Sequence, residues 1–321
     1  MKDPLRIVFI GTSEFGIPAL EKIQTFPTYK LVGIVTIADK HAGRGRKLMS
    51  SPIKKWALSK SIPLLEVTHL KEVSFIQALK NLSPDLQIVI AFRILPKEIW
   101  NIPPLGTFNL HASLLPHYRG AAPINHALIN GEKQTGITTF MLNEQVDQGD
   151  ILLQESIPIS EYQTAGELYQ ILSIMGGDLV IRTIEGLLDK TLTTNKQNIK
   201  EGFKKAPKIT SKYAQLDWNN SLEDIYNKIR GLSPSPGAWT YLYFNEKEKD
   251  IRMKLFFGEK ILLSHDHKPG SIQVDFTNFH MRIALKIGYL SIIEAQIEGK
   301  SRMKIKNLIN GFNKKPPLYA Y

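Results

Sequence analysis

Asn109 and His111 stand two positions apart at the end of a short apolar run, and Asp147 follows after one more such run. Side chains two apart on a β-strand point to the same face. An amide offers hydrogen-bond donors, an imidazole titrates near neutrality, and a carboxylate can hold a cation or order water. Together these types can do general acid–base work. In an open parallel sheet, strand-end groups converge on the crevice beyond the C-terminal edge, where ligands bind. Each residue also has an ordinary reading: a satisfied core histidine, an asparagine capping the next turn, an aspartate inside a turn. Ser113 beside His111 lacks the strained Gly-x-Ser-x-Gly elbow of a serine nucleophile. The chain has no cysteine, which excludes disulfides, thiolate metal sites and cysteine nucleophiles.

Two further clusters carry less. Gly11-Thr12-Ser13-Glu14-Phe15-Gly16 has neither the dinucleotide-binding spacing nor the Lys-Ser/Thr of a phosphate-cradling loop, so it reads as a strand-to-helix turn. His265-Asp266-His267 abuts Lys268-Pro269-Gly270 and reads as an exposed turn.

The elements that must position the three polar groups alternate. Leu5 to Ile10, Leu31 to Thr36, Leu86 to Phe92, Gly106 to Leu110, Gly136 to Leu142 and Ile151 to Ile159 read as strands. Helices are expected over Ile17 to Phe26, Ile53 to Lys60, Leu70 to Leu82 and Pro123 to Ile129. A long one from Thr164 to Leu188 is expected to break at Gly176-Gly177. The pattern predicts an α/β, Rossmann-like domain around a central, mostly parallel sheet. From Asp189 to Lys208 the sequence is polar, lysine-rich and weakly periodic, the signature of a linker. Beyond it lie one helix (Leu222 to Arg230) and five short strand-like runs, which predict a small OB-like β-barrel. The expected division is 1–189, a basic linker 190–208, and 209–321.

The 321 residues carry 41 Lys and Arg against 30 Asp and Glu, a net charge of +11, which favours a polyanionic partner. The excess is local. Lys40, Arg44, Arg46, Lys47, Lys54, Lys55 and Lys60 form one run without an acid. Lys196 to Lys212 and Ser301 to the C-terminus are two more basic segments, the former broken only by Glu201. No stretch approaches the roughly 18 apolar residues of a membrane span, and no signal-peptide core follows the N-terminus. A cytoplasmic protein without a membrane role is expected.

The stretch Asn109-Leu110-His111-Ala112-Ser113-Leu114-Leu115-Pro116, then Arg119-Gly120-Ala121-Ala122-Pro123 and Asp147-Gln148-Gly149-Asp150, resembles the tetrahydrofolate-dependent formyltransferases. Ile7-Val8-Phe9-Ile10-Gly11-Thr12, Ala42-Gly43-Arg44-Gly45-Arg46-Lys47-Leu48, Lys208-Ile209, Asp217-Trp218 and Pro234-Ser235-Pro236-Gly237-Ala238-Trp239 extend the likeness over nearly the whole chain. Within the family they point to members that formylate methionine charged on initiator tRNA. The resemblance implies 10-formyltetrahydrofolate as donor and charged initiator tRNA as acceptor; activating an α-amino group demands no metal, and a monomer is expected. It assigns Asn109 to the formyl oxygen, with His111 carrying protons and Asp147 holding the imidazole charged and ordering a water. The folate is expected along Ser113, Leu114, Leu115 and Pro116 and at Arg93, Ile94 and Leu95. tRNA phosphates are expected at Arg44, Arg46, Lys47, Lys204, Lys205 and Lys208. Two alternatives share parts of this pattern: a sugar-nucleotide N-formyltransferase using the same donor, and a non-catalytic RNA-binding protein on a degenerate enzyme domain.

Overall fold

The structure is a computed structural model and describes residues 3–42, 47–198, 202–244, 250–312 and 315–321. By contacts the chain forms two compact units. One comprises 1–120, 135–157 and 169–205; the other comprises 121–134, 158–168 and 206–321.

The first unit is built on seven strands: β1 (Leu5–Gly11), β2 (Tyr29–Ile37), β3 (Leu64–Val67), β4 (Leu86–Ile90), β5 (Thr107–His111), β6 (Gln134–Met141) and β7 (Ile151–Pro158). Their order is β7-β6-β5-β4-β1-β2-β3. The strands β3, β2, β1, β4 and β5 run parallel, and β6 pairs antiparallel to β5. β4 is buried at every residue, as a parallel strand covered on both faces requires. β3 was not expected from the sequence. Its four residues include Glu66 and are too short to show an alternation, and they become a strand only by pairing with Ile34–Ile37 of β2.

The helix Ala165–Leu188 is continuous, which corrects the break expected at Gly176-Gly177. A Cβ on Gly176 would lie 2.5 Å from Leu110 Cδ2, and one on Gly177 3.1 Å from the Pro18 backbone. These glycines therefore let the helix approach its neighbours closely. Glycine costs an interior helical position only about 1 kcal/mol, which close packing offsets.

The second unit holds β8 (Ala238–Tyr243), β9 (Ile251–Ile261), β10 (Ile272–Asp275), β11 (His280–Ala284), β12 (Tyr289–Ile297) and β13 (Tyr319–Ala320), in the order β10-β11-β12-β9-β8-β13. The ends of that row meet: Ser271 bridges to Tyr319, and Ala320 N–H donates to the Gly270 carbonyl at 2.9 Å. The sheet thus closes into the nearly complete antiparallel barrel that the short strands predict. The helix Leu222–Leu232, capped by Ser221, contributes Ile225, Ile229 and Leu232 to this unit's core.

No helix among the described residues is long and apolar enough to cross a membrane.

Candidate active site

The C-terminal ends of β4 and β5 and the loop after β6 carry the polar groups. Asn109 pairs in register with Val89 of β4 and Phe140 of β6, and His111 with Thr138. Asn109 is half-buried, and its Oδ1 is enclosed with no hydrogen-bond partner in the protein. Buried polar atoms are nearly always satisfied, so an exception marks a strained site or an absent ligand or water.

His111 is buried, with Nε2 2.8 Å from the Tyr118 carbonyl. A carbonyl only accepts, so Nε2 carries the proton and Nδ1 is the acceptor of the neutral ring. Asp147 Oδ2 accepts from the Gly120 N–H at 3.0 Å. The carboxylate expected to hold the imidazole thus engages the backbone two residues beyond the carbonyl that holds the ring. Ala91, Tyr118 and Asp147 all have positive φ (52°, 62° and 55°). Backbone in this region costs a non-glycine residue roughly 1–3 kcal/mol and persists where the surroundings over-determine it. Here one such residue stands on each of three loops: after β4, after β5 and after β6.

The turn after His111 is anchored internally. The Ser113 hydroxyl, fully buried, donates to the His117 carbonyl at 2.7 Å. Thr138 Oγ1 donates to the Ser113 carbonyl (2.6 Å) and accepts from Leu115 N–H (3.2 Å), while Gln154 Nε2 donates to the Leu115 carbonyl (2.8 Å) and to Thr138 (2.9 Å). Ser113 and Leu115 are buried, and Leu114 and Pro116 are partly open, with a cis bond before Pro116.

On the other side of the edge, Arg93 donates to the carbonyls of Thr68 (2.8 Å) and Val67 (3.0 Å), closing off β3. Leu95 is buried in the apolar cluster of Val8, Val35 and Val89, and Ile94 is 71% exposed. Of the three positions expected to meet folate here, the side chains of Arg93 and Leu95 serve the scaffold.

Sequence reasoning missed Thr138, Gln154 and Gln197. Thr and Gln in a strand carry no distinguishing signal, and Gln197 lies in the stretch that reads as a linker. That stretch does not run free. Asn195 exchanges backbone hydrogen bonds with Ile151, and Tyr118 N–H donates to the Lys204 carbonyl at 2.6 Å.

Arg44 and Arg46 lie outside the described residues, and of Lys47 only the backbone, in the short strand Lys47–Met49, is described. Lys204, Lys205 and Lys208 are exposed, with Lys205 Nζ 5.7 Å from the Phe203 ring centre. Lys54, counted in the first basic run, bridges Glu66 (2.6 Å) and Asp39 (2.9 Å), whose hydrogen bonds first and charges second raise its pKa. It ties Asp39, before the basic loop, to the helix Pro52–Ser59 after it.

Gly149 supports the Asp147 loop by its lack of a side chain, since a Cβ there would overlap the Met141 carbonyl. Gly149→Ala is expected to cost at least about 1–3 kcal/mol, as overpacking does, and to lower turnover with it. Thermal melting alongside a formylation assay checks both.

The class is that of the formyl transferases: the family model described as formyl transferase matches residues 5–184, and that of the formyl transferase C-terminal domain matches residues 208–313. The methionyl-tRNA formyltransferase of Bacteroides fragilis is 44% identical over 315 residues, 97% of this chain and 96% of the relative. The chain belongs to the methionyl-tRNA formyltransferase family. Two solved structures share the fold at low identity. HypX from Aquifex aeolicus in complex with tetrahydrofolic acid has a TM-score of 0.62 at 16% identity, over 97% of this chain and 48% of its own. An N-formyltransferase from Helicobacter canadensis, in complex with folinic acid and dTDP-3-aminofucose, has 0.61 at 18%, over 90% and 98%.

Proposed function

We propose that this protein transfers the formyl group of 10-formyltetrahydrofolate to the α-amino group of methionine on initiator tRNA, supporting translation initiation. The observation that carries this reading is the 44% identity to a methionyl-tRNA formyltransferase along nearly the full length of both chains. The site is consistent with it: Asn109 Oδ1, enclosed and without a partner in the protein, suits a bound group or water that donates to it, which leaves the Nδ2 hydrogens to donate to the formyl oxygen.

Formyl transfer is acyl transfer. The amine attacks the formyl carbon, negative charge grows on the formyl oxygen, and the folate nitrogen leaves with a proton. An α-amino group with a pKa of about 8 needs only modest activation, so the protein's main tasks are donors for the oxygen and a route for protons. Asn109 supplies an amide NH₂ to that oxygen. His111, its Nε2–H fixed on Tyr118, offers Nδ1 for proton exchange at the reacting side. Asp147, held at the Gly120 amide, orders a water for proton transfer. Backbone groups of 93–95 and of the turn 113–116 face the flat, hydrogen-bonding pterin.

In the same reading the barrel and the lysines Lys204, Lys205 and Lys208 hold tRNA phosphates, and the loop with Arg44, Arg46 and Lys47 meets the acceptor end. The protein works as a monomer in the cytoplasm. Replacing Arg44, Arg46 and Lys47 together is expected to weaken tRNA affinity and to flatten its dependence on log salt by about one unit per lost phosphate contact, with donor KM unchanged. Unchanged tRNA affinity in that variant would remove the loop from the interface. The function itself is tested by donor-dependent formylation with charged initiator tRNA offered beside an amino-sugar nucleotide. Product on tRNA alone is expected, and product on the sugar alone rejects the reading.

A further inference from the structure

Gln197 sits in a polar stretch with nothing in its neighbours to mark it, yet its side chain makes four hydrogen bonds. Its Oε1 accepts from Arg119 Nε (3.1 Å) and Nη2 (2.5 Å), and its Nε2 donates to the carbonyls of Asp147 (3.0 Å) and Gly149 (2.8 Å). The orientation of the amide is dictated by its partners: a guanidinium only donates and carbonyls only accept. From Arg119 the chain continues to Gly120, whose N–H holds the Asp147 carboxylate. The contacts close a ring: Gln197, Arg119, Gly120, the Asp147 carboxylate, the Asp147 carbonyl, and Gln197 again. The residue before Arg119 is Tyr118, whose carbonyl holds His111.

The surroundings reinforce the ring. Asn195 is pinned to Ile151 by two backbone hydrogen bonds of 2.8 and 2.9 Å, which fixes the segment carrying Gln197. The Arg119 guanidinium lies 5.6 Å from the Phe203 ring centre. Burial lowers the pKa of Arg119, and the Asp147 charge opposes that shift. Asp147 itself has φ +55°, a conformation that needs outside support, and the carbonyls of Asp147 and Gly149 are the groups that Gln197 grips.

We propose that Gln197 is a positioning residue for the transfer step: it clamps the 147–149 loop so that the Asp147 carboxylate stays at the Gly120 amide, next to the segment that holds His111. This rests on the reading of Asp147 as part of the catalytic machinery. A displacement of about 1 Å in such a group can cost turnover about 10²-fold, whereas substrates bound elsewhere in the crevice do not sense it.

The test is steady-state kinetics with 10-formyltetrahydrofolate and charged initiator tRNA on wild type, Gln197→Ala, Gln197→Glu, Asp147→Asn, and Gln197→Ala combined with Asp147→Asn. Gln197→Glu keeps the size and the contact to Arg119 but cannot donate to the two carbonyls, so it stays informative if Gln197→Ala melts early. Both Gln197 variants are expected to lose kcat by up to about 10²-fold with both KM values within about twofold. The double variant should be no slower than Asp147→Asn alone, because a clamp has no effect once the group it positions is disabled. Wild-type kcat in Gln197→Glu, a raised KM at unchanged kcat, or losses that multiply in the double variant would overturn the clamp. Wild-type turnover in Asp147→Asn instead overturns the role of Asp147, and is read separately from the other arms.

Discussion

Asn109→Ala is expected to slow formyl transfer by about 10²–10³-fold, equivalent to about 2.7–4 kcal/mol of barrier, the usual cost of losing one oxyanion donor. The fold should survive. Asn109 is half-buried on β5 and its Oδ1 has no partner in the protein, so truncation strands no internal hydrogen bond at that atom. Removing an enclosed polar group without a partner relieves a desolvation penalty, and the melting temperature is expected to hold or rise. Donor and tRNA KM should change little, because the interaction strengthens only as charge grows on the formyl oxygen. Single-turnover rates with saturating donor measure the effect directly. Near-wild-type rates would take Asn109 out of the reaction.

Asp147→Asn is the second large effect. Asparagine keeps the shape, can still accept from the Gly120 N–H, and tolerates the positive φ that this position adopts. What it loses is the negative charge and the capacity to take a proton. A loss in kcat of about 10²–10⁴-fold is expected, the range that general acid–base groups contribute, with an unchanged melting temperature. Alanine would confound the result, since it has no side chain to support the left-handed backbone or to bind Gly120. An Asp147→Asn enzyme that turns over normally would show that the carboxylate only shapes the loop.

Much of the site is legible in the residues themselves, because its parts are local. Asn109 and His111 share a strand, and their period-two spacing places them on one face. The barrel is legible for a similar reason: short runs separated by turns have few ways to bury their apolar side except by closing on one another. The misreadings lie where a distant neighbour decides. Gly176-Gly177 looks like a helix breaker, but Leu110 and Pro18 occupy the space that side chains would need. Nor does any local pattern show what the Arg93 side chain does: its guanidinium donates to the carbonyls of Val67, the last residue of β3, and of Thr68 beyond it.

By itself, the sequence determined the alternation of strands and helices, the barrel, the strand-edge amide and imidazole, the absence of thiol chemistry and the basic segments. Periodicity, composition and spacing are properties of neighbouring residues, and they survive without knowledge of what packs against them. The tertiary structure alone decided that Asp147 holds the Gly120 amide, that the Tyr118 carbonyl fixes the tautomer of His111, and that Gln197 reaches back some fifty residues to grip the Asp147 loop. Hydrogen bonds between side chains and remote backbone depend on where the chain returns in space, and no local pattern encodes that return.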